Sequence, residues 1–297
     1  MIDRIISIGG PNLNKPDSGT KTAWRLLPIS TANAARHMAT DEAIFEAYAR
    51  GLVPPTLRFY TWDPPGVSCG RFQNIDSEVD LEACKDLGID VVRRPTGGRA
   101  VLHLGDLTYL AVVGERDGLP EGVLPAYLYL SRGLLAGLAS LDLPAELFTP
   151  SAKSGGRSSA CFASPSWYEL TVRGRKVAGS AQRREDGNVL QHGAIMLDFP
   201  ALEQAGIFRS PLPKEVFAGM LAKNAAGLRE YSPALTVGEL AEALALGFGE
   251  ALGVELAPGG LTEAEEALIT ASTPFMPQRT RSSQRVGGHI HTGTKAL

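Results

Sequence analysis

The chain has 297 residues, 44% of them hydrophobic, enough for one large domain or two modest ones with a sizeable core. A formal net charge of −3 argues against a general nucleic-acid binder. No apolar run approaches the roughly 18 residues of a membrane span, and residues 1–10 are too short and polar for a signal peptide, so a soluble cytoplasmic protein is expected.

Residues 1–23 include a polar, turn-rich stretch and read as a loose N-terminal arm. A strand is expected over 24–29. An amphipathic helix follows over 33–50, with apolar residues at three- and four-residue steps and Gly51 as its stop. Short strands over 56–60 and 67–69 flank a Pro64-Pro65-Gly66 turn. Then come a helix over about 78–87 closed by Gly88, a strand over 90–94, a strand over 107–113 and a helix over 124–140. Residues 151–159 are a flexible loop by composition. Residues 168–172, 175–183 and 191–198 form an antiparallel meander, with Arg173-Gly174 and Asp186-Gly187-Asn188 as turns. Helices close the chain at about 201–206, 213–222, 236–252 and 262–270, before a loose tail from Pro274. Strands mixed with helices, and hairpins rather than strict βαβ alternation, make this an α+β domain. Its expected limits are 24–253, with 254–297 as a helical segment and tail.

Cys161 sits after the polar loop, in Ser158-Ser159-Ala160-Cys161-Phe162, and Lys176 follows within Gly174-Arg175-Lys176. A thiol reacts as its thiolate, and a neighbouring cation favours that form, so the two are a candidate nucleophile and its activator. Taken alone, Lys176 reads more readily as a solvated hairpin lysine. Cys69 and Cys84 lie on apolar elements and read as small buried hydrophobes. The three cysteines have no metal-ligand spacing and cannot all pair. In Arg93-Arg94-Pro95-Thr96-Gly97-Gly98-Arg99 a strand runs into a glycine pair that lets backbone approach a ligand. A plain β-turn with solvated arginines is the alternative.

Longer strings narrow the choice. Arg93-Arg94-x-x-Gly97-Gly98-Arg99-Ala100-Val101-x-His103 with Asp106-Leu107-Thr108-Tyr109 is one. Met38-Ala39-x-Asp41-Glu42-Ala43, Ser68-x-Gly70-Arg71-Phe72-Gln73, Gly174-Arg175-Lys176-x-x-Gly179-Ser180-Ala181-Gln182 and Leu190-Gln191-His192-Gly193 are the others. In this order they resemble the biotin/lipoate–protein ligase superfamily over roughly residues 24–200. The resemblance implies that superfamily's α+β catalytic domain, with mixed and antiparallel sheets flanked by helices. Cys161-Phe162-Ala163-Ser164-Pro165-Ser166-Trp167-Tyr168-Glu169-Leu170 is similar to the loop of its cysteine octanoyltransferases, the LipM type.

That resemblance implies transfer of an octanoyl group from octanoyl-acyl carrier protein to a lysine of a lipoyl domain, such as glycine cleavage H protein or a dehydrogenase E2. Cys161 would carry the acyl group as a thioester, with Lys176 lowering its pKa and with no ATP, other cofactor or metal. Arg94, Gly97, Gly98, Arg99, His103, Gly179, Ser180, His192 and Gly193 are the implied substrate-binding residues. His103 and His192 are either direct substrate contacts or hydrogen-bonded histidines near the core. Val101, Leu102, Leu107 and Ile195 either line an acyl tunnel or are ordinary core. Arg173, Arg175, Arg183 and Arg184, with Arg93, Arg94 and Arg99, are either a basic rim for an acidic carrier protein or a solvated face. The rival readings are an ATP-dependent lipoate–protein ligase, an octanoyl amidotransferase between lipoyl domains and a non-enzymatic lipoyl-protein-binding scaffold.

Overall fold

A computed structural model describes residues 22–148 and 169–272. The expected N-terminal arm up to residue 21, the loop 151–159, Cys161 and the tail from Pro274 lie outside the described residues. In chain order the elements begin β1 (Ala23–Leu26), β2 (Ser30–Ala32), α1 (Ala34–Ala49), β3 (Thr56–Trp62) and β4 (Gly66–Cys69). Next come α2 (Ile75–Glu78), α3 (Leu81–Asp86), β5 (Asp90–Arg93), β6 (Val101–His103), β7 (Asp106–Gly114), α4 (Val123–Ser140) and β8 (Ala145–Leu147). The chain continues with β9 (Leu170–Val172), β10 (Arg175–Glu185), β11 (Asn188–Met196), α5 (Ala201–Ile207) and α6 (Lys214–Asn224). It ends with α7 (Val237–Leu252), β12 (Glu255–Pro258) and α8 (Glu263–Ala271).

The strands make two sheets. The large one runs β12-β1-β3-β7-β11-β10-β9-β8, with β2 beside β3, and the small one runs β5-β4-β6. Pairing is parallel from β12 to β3 and antiparallel from β3 to β8, so the α+β expectation of mixed sheets flanked by helices holds. The two hairpin turns read from sequence are of the same kind. Arg173 and Gly174 have φ of 52° and 76°, and Asp186 and Gly187 have 49° and 75°, the left-handed pair that a two-residue hairpin needs.

Period-2 alternation on the central strands assigns the faces. Leu107, Tyr109, Ala111 and Val113 of β7 join Leu57, Phe59, Val189 and Ile195 in a core under α4 and α7. Leu110, Val112, Leu190 and Tyr60 point the other way, to Ile44, Phe45 and Tyr48 of α1. A second core lies between the small sheet, α3, α5 and α6, and holds Val67, Cys69, Cys84, Leu102 and Phe217. Glycines bring α4 and α7 together, since a Cβ on Gly247 would stand 2.3 Å from the Gly137 nitrogen.

Three local expectations change. The helix over 78–87 is two helices, because Asp80 leaves the helical path and its Oδ1 caps α3 by accepting from the Ala83 N–H at 3.1 Å. The strand over 24–29 ends early, at Leu26, and a separate strand, β2, follows at Ser30–Ala32. The segment after 253 opens with a strand: β12 pairs in parallel with β1, and α8 then packs Ile269 on Ala39 and Ala43 of α1. Glu265 of α8 is fully buried and pairs with Arg25 of β1 at 2.6 Å, tying this segment to the edge of the main sheet. No helix among the described residues is long and apolar enough to cross a membrane.

Candidate functional site

A cavity of about 290 Å3 lies where the small sheet meets the main one. Met38 of α1, Tyr60 and Trp62 of β3, Ser68 of β4 and Thr108 of β7 form one part of its wall. Arg94, Gly98, Arg99, Val101 and His103 come from the loop after β5 and from β6. Glu169, Gly179, Ser180 and Ala181 on and before β10, His192, Gly193 and Ala194 of β11, and Tyr127 of α4 complete it. Eight of the residues expected from sequence therefore line one cavity: Arg94, Gly98, Arg99, His103, Gly179, Ser180, His192 and Gly193. Of the four residues considered for an acyl tunnel, Val101 is in this wall. Leu102, Leu107 and Ile195 belong to the packed cores instead, because alternation along their strands turns them away.

Arg93, the last residue of β5, and Arg94, the first after it, build the rim rather than project from it. Arg93 donates through Nη1 to the carbonyls of Gly70, Arg71 and Gln73, each at 2.9 Å. Arg94 is buried and donates to the carbonyls of Ser68 and Gly97 at 2.7 Å and of Arg99 at 2.8 Å. Its planar fork thus holds the Gly97-Gly98 turn against β4. Gly97 is a backbone acceptor for Arg94, while Gly98 takes φ of 89° and lines the cavity. Gly70 presses on this turn so closely that a Cβ there would lie 2.0 Å from the Gly98 oxygen.

Both histidines line the cavity and are also fully hydrogen-bonded. Asp41 of α1 is buried, which would raise its carboxyl. Hydrogen bonds from His192 Nδ1 and Tyr60, and the charge of Arg58, outweigh that and hold it below its usual range. Asp41 is therefore an acceptor, and His192 donates to it from Nδ1 at 2.9 Å. Burial, ahead of the opposing pull of Asp41, keeps His192 neutral, so its Nε2 accepts from the Thr96 hydroxyl at 2.7 Å. His103 stacks on Trp62 with ring centroids 3.9 Å apart. Its Nδ1 lies 2.9 Å from Asp106 Oδ2 and its Nε2 lies 2.8 Å from Ser68 Oγ.

Lys176 is fully buried, not a solvated hairpin lysine, and its Nζ donates to Glu169 Oε1 at 2.6 Å. Glu169 stands in the motif after Cys161, where the sequence alone assigns it no role. Its place between Cys161 and the hairpin was the signal. Cys69 and Cys84 are buried free thiols, and burial pushes them up to about 11 and about 12, away from thiolate chemistry.

The hairpin arginines do not make one basic cluster. Arg175 and Arg183 lie near opposite ends of β10, about 26 Å apart at the rise of an extended strand. Arg175 is paired with Glu230 at 2.5 Å, Arg183 with Glu185 at 2.7 Å and Arg184 with Glu115 at 3.0 Å. Arg173 stands over the Tyr231 ring.

The chain matches the family model of the lipoyl protein ligase A/B catalytic domain over residues 33–249. It is 47% identical to octanoyltransferase LipM of Symbiobacterium thermophilum over 254 residues, which cover 83% of this chain and 92% of that one. The LipM enzyme of Kyrpidia tusciae is 45% identical over 251 residues, covering 82% and 92%. Among solved structures, a bipartite lipoate protein ligase of Thermoplasma acidophilum superposes with a TM-score of 0.70 at 26% identity, over 84% of this chain and 91% of that one. Lipoate-protein ligase A bound with ATP superposes with the same score and identity, over 84% and 93%. The chain therefore belongs to the lipoyl protein ligase A/B catalytic-domain family and, within it, to the LipM octanoyltransferases.

Proposed function

We propose that this enzyme moves an octanoyl group from octanoyl-acyl carrier protein to a lysine of a lipoyl domain, such as glycine cleavage H protein or a dehydrogenase E2, with Cys161 as the acyl carrier. The Cys161 thiolate attacks the thioester carbonyl of the donor and expels the carrier thiolate. The lysine amine of the acceptor then attacks the Cys161 thioester, forms the amide and releases the thiolate. Thiol-for-thiol exchange conserves the thioester bond, so the first step needs no ATP, and the two displacements give ping-pong kinetics.

One observation supports this reading most. Motifs scattered from Met38 to Gly193 converge on a single cavity, with Glu169 in its wall and Lys176 bonded to Glu169. In this reading Lys176 is the cation that favours the Cys161 thiolate. Met38, Trp62 and Val101 offer the apolar contacts that an acyl chain needs. Arg94 and Gly97 act by shaping the turn that presents Gly98 and Arg99 to the substrate.

Incubation with octanoyl carrier protein in the absence of ATP, followed by intact mass measurement, tests it. The expected product is a hydroxylamine-sensitive octanoyl adduct on Cys161, absent from Cys161→Ser. Absence of the adduct, together with octanoylation or lipoylation that needs ATP and survives Cys161→Ala, would replace the transferase reading with a ligase. Offering the acylated enzyme a glycine cleavage H protein or an E2 lipoyl domain then identifies the acceptor.

A further inference from the structure

Four polar side chains form a line between β7, β10 and β11, on the face of the sheet that packs against α4. Gln182 Nε2 donates to Gln191 Oε1 at 2.7 Å. Gln191 Nε2 donates to the Tyr109 hydroxyl at 2.7 Å, and Tyr109 donates to Ser180 Oγ at 2.8 Å. With the amides oriented as in the structure the line runs from Gln182 to Ser180, and Gln182 Oε1 at its far end has no partner among the described residues. An amide oxygen only accepts and an amide nitrogen only donates, so Gln191 presents a donor to Tyr109. The phenol has one hydrogen, and the bond to Ser180 uses it. Ser180 Oγ is thereby an acceptor within the line, and its own hydrogen has no acceptor among the described residues. Of the four, Ser180 is the one in the cavity wall.

The arrangement is built for this contact. Gln191 and Tyr109 are both fully buried, where an amide and a phenol are costly unless each is bonded. Ser180 pairs across the hairpin with Gly193. A Cβ on Gly193 would stand 2.5 Å from Ser180 Oγ and 2.7 Å from Tyr109 Cε1, so glycine there keeps the hydroxyls in reach of each other. Burial lifts the Tyr109 phenol to about 12, and it stays a donor across the working range of pH.

We propose that Ser180 is a catalytic hydrogen-bond donor to the acyl carbonyl oxygen, and that Gln191 and Tyr109 are positioning residues that aim its hydrogen into the cavity. The inference rests on the octanoyl-transfer reading. As the Cys161 sulfur bonds to the carbonyl carbon, the C=O π pair moves to oxygen. The Ser180 O–H bonds to that oxyanion without giving up its proton. Collapse re-forms C=O and breaks the bond to the carrier sulfur, which leaves as a thiolate and is protonated by solvent.

The test is single-turnover acylation of the full-length enzyme by octanoyl carrier protein, quenched and read by intact mass over a range of donor concentrations. Ser180→Ala is expected to lower the maximal rate of adduct formation about 100-fold, with little change in the half-saturating concentration. Tyr109→Phe keeps the serine and removes its orienting donor, so the maximal rate falls about tenfold with the same split. Thermal melts of both variants identify any that fail to fold, and the folded one then carries the test. A wild-type enzyme that acylates beside a folded Ser180→Ala of equal rate overturns the inference alone. So does a loss confined to half-saturation. A wild-type enzyme that forms no adduct overturns the transfer reading, and the inference with it.

Discussion

Glu169 and Lys176 are opposite charges 2.6 Å apart, Lys176 fully buried and Glu169 at the cavity wall, and their pairing offsets part of the cost of burying each. Glu169→Gln leaves a buried ammonium with a neutral partner and is expected to cost roughly 3–5 kcal/mol, read as a fall in the urea midpoint. Replacing both, as Lys176→Met with Glu169→Leu, is expected to recover much of that stability while leaving Cys161 acylation slow. Recovery of both stability and acylation would remove Lys176 from the chemistry. Gly70 offers a second test at this scale. Its missing Cβ is what admits the Gly98 carbonyl, so Gly70→Ala must push the Gly97-Gly98 turn away from β4. About 1–3 kcal/mol of stability should go, and the half-saturating donor concentration should rise. Both glycines were visible in the sequence as motif members, but their mutual contact was not. A glycine's local freedom is a property of the residue, while close approach is a property of two loops.

Elements whose ends carry their own chemistry were the legible ones. Thr236 and Glu239 form a capping box at the start of α7, and Gly253 ends it at φ of 67°. The hairpins were equally readable, from Arg173-Gly174 and Asp186-Gly187. The four residues of β12 have no such signal, because what makes them a strand is the open edge of β1 beside them. The arginines of β10 gave a mistaken impression of a cluster for a related reason. Nearness in sequence along an extended strand is distance in space, and their charges are met by carboxylates from α4's lead-in, the end of β10 itself and the segment after α6. The α4–α7 seam gives the prediction for this scale. A side chain at Gly247 would meet the Gly133 oxygen at 2.5 Å as well as the Gly137 nitrogen, backbone that cannot turn aside. Gly247→Leu is expected to separate the two helices and lower the melting temperature, at a cost of about 1–3 kcal/mol or more.

Across the whole molecule, α1 is tied to the main sheet by a buried polar cluster with a definite response to acid. His37 Nε2 bonds to the Thr61 carbonyl and its Nδ1 faces Arg58, which also pairs with Asp41. Burial first, and the Arg58 charge second, lower His37 from 6.5 to about 4. Above pH 6.5 the imidazole is neutral in both folded and unfolded chains, and its contribution to stability is fully present. As pH falls from 6.5 towards 4, the unfolded chain takes up a proton that the folded one refuses, so stability declines by up to about 3 kcal/mol. The lowered carboxyls of Asp41 and Glu265 extend the decline further into acid, since each is lost as it protonates. Urea midpoints at pH 7 and pH 5 check this, and a flat profile between them would contradict it. His192, also lowered by burial, refuses a proton over the same range, so His37→Gln should make the upper part of the curve shallower without flattening it.

The sequence by itself determined what is local: helix caps, hairpin turns, the period-2 strands and the ordered motifs that mark an acyl-transfer enzyme of this family. Those features work through neighbours in the chain, so their residue types and spacing are enough to read them. Tertiary structure alone decided what those residues meet. Asp41 and His192 are 151 positions apart and share a proton donor and acceptor only because α1 lies across β11. Burial and charge pairing set whether Lys176 is a solvated cation or a buried one, and whether Arg94 reaches a ligand or holds a turn. Both are sums over long-range packing, which no short stretch of chain contains.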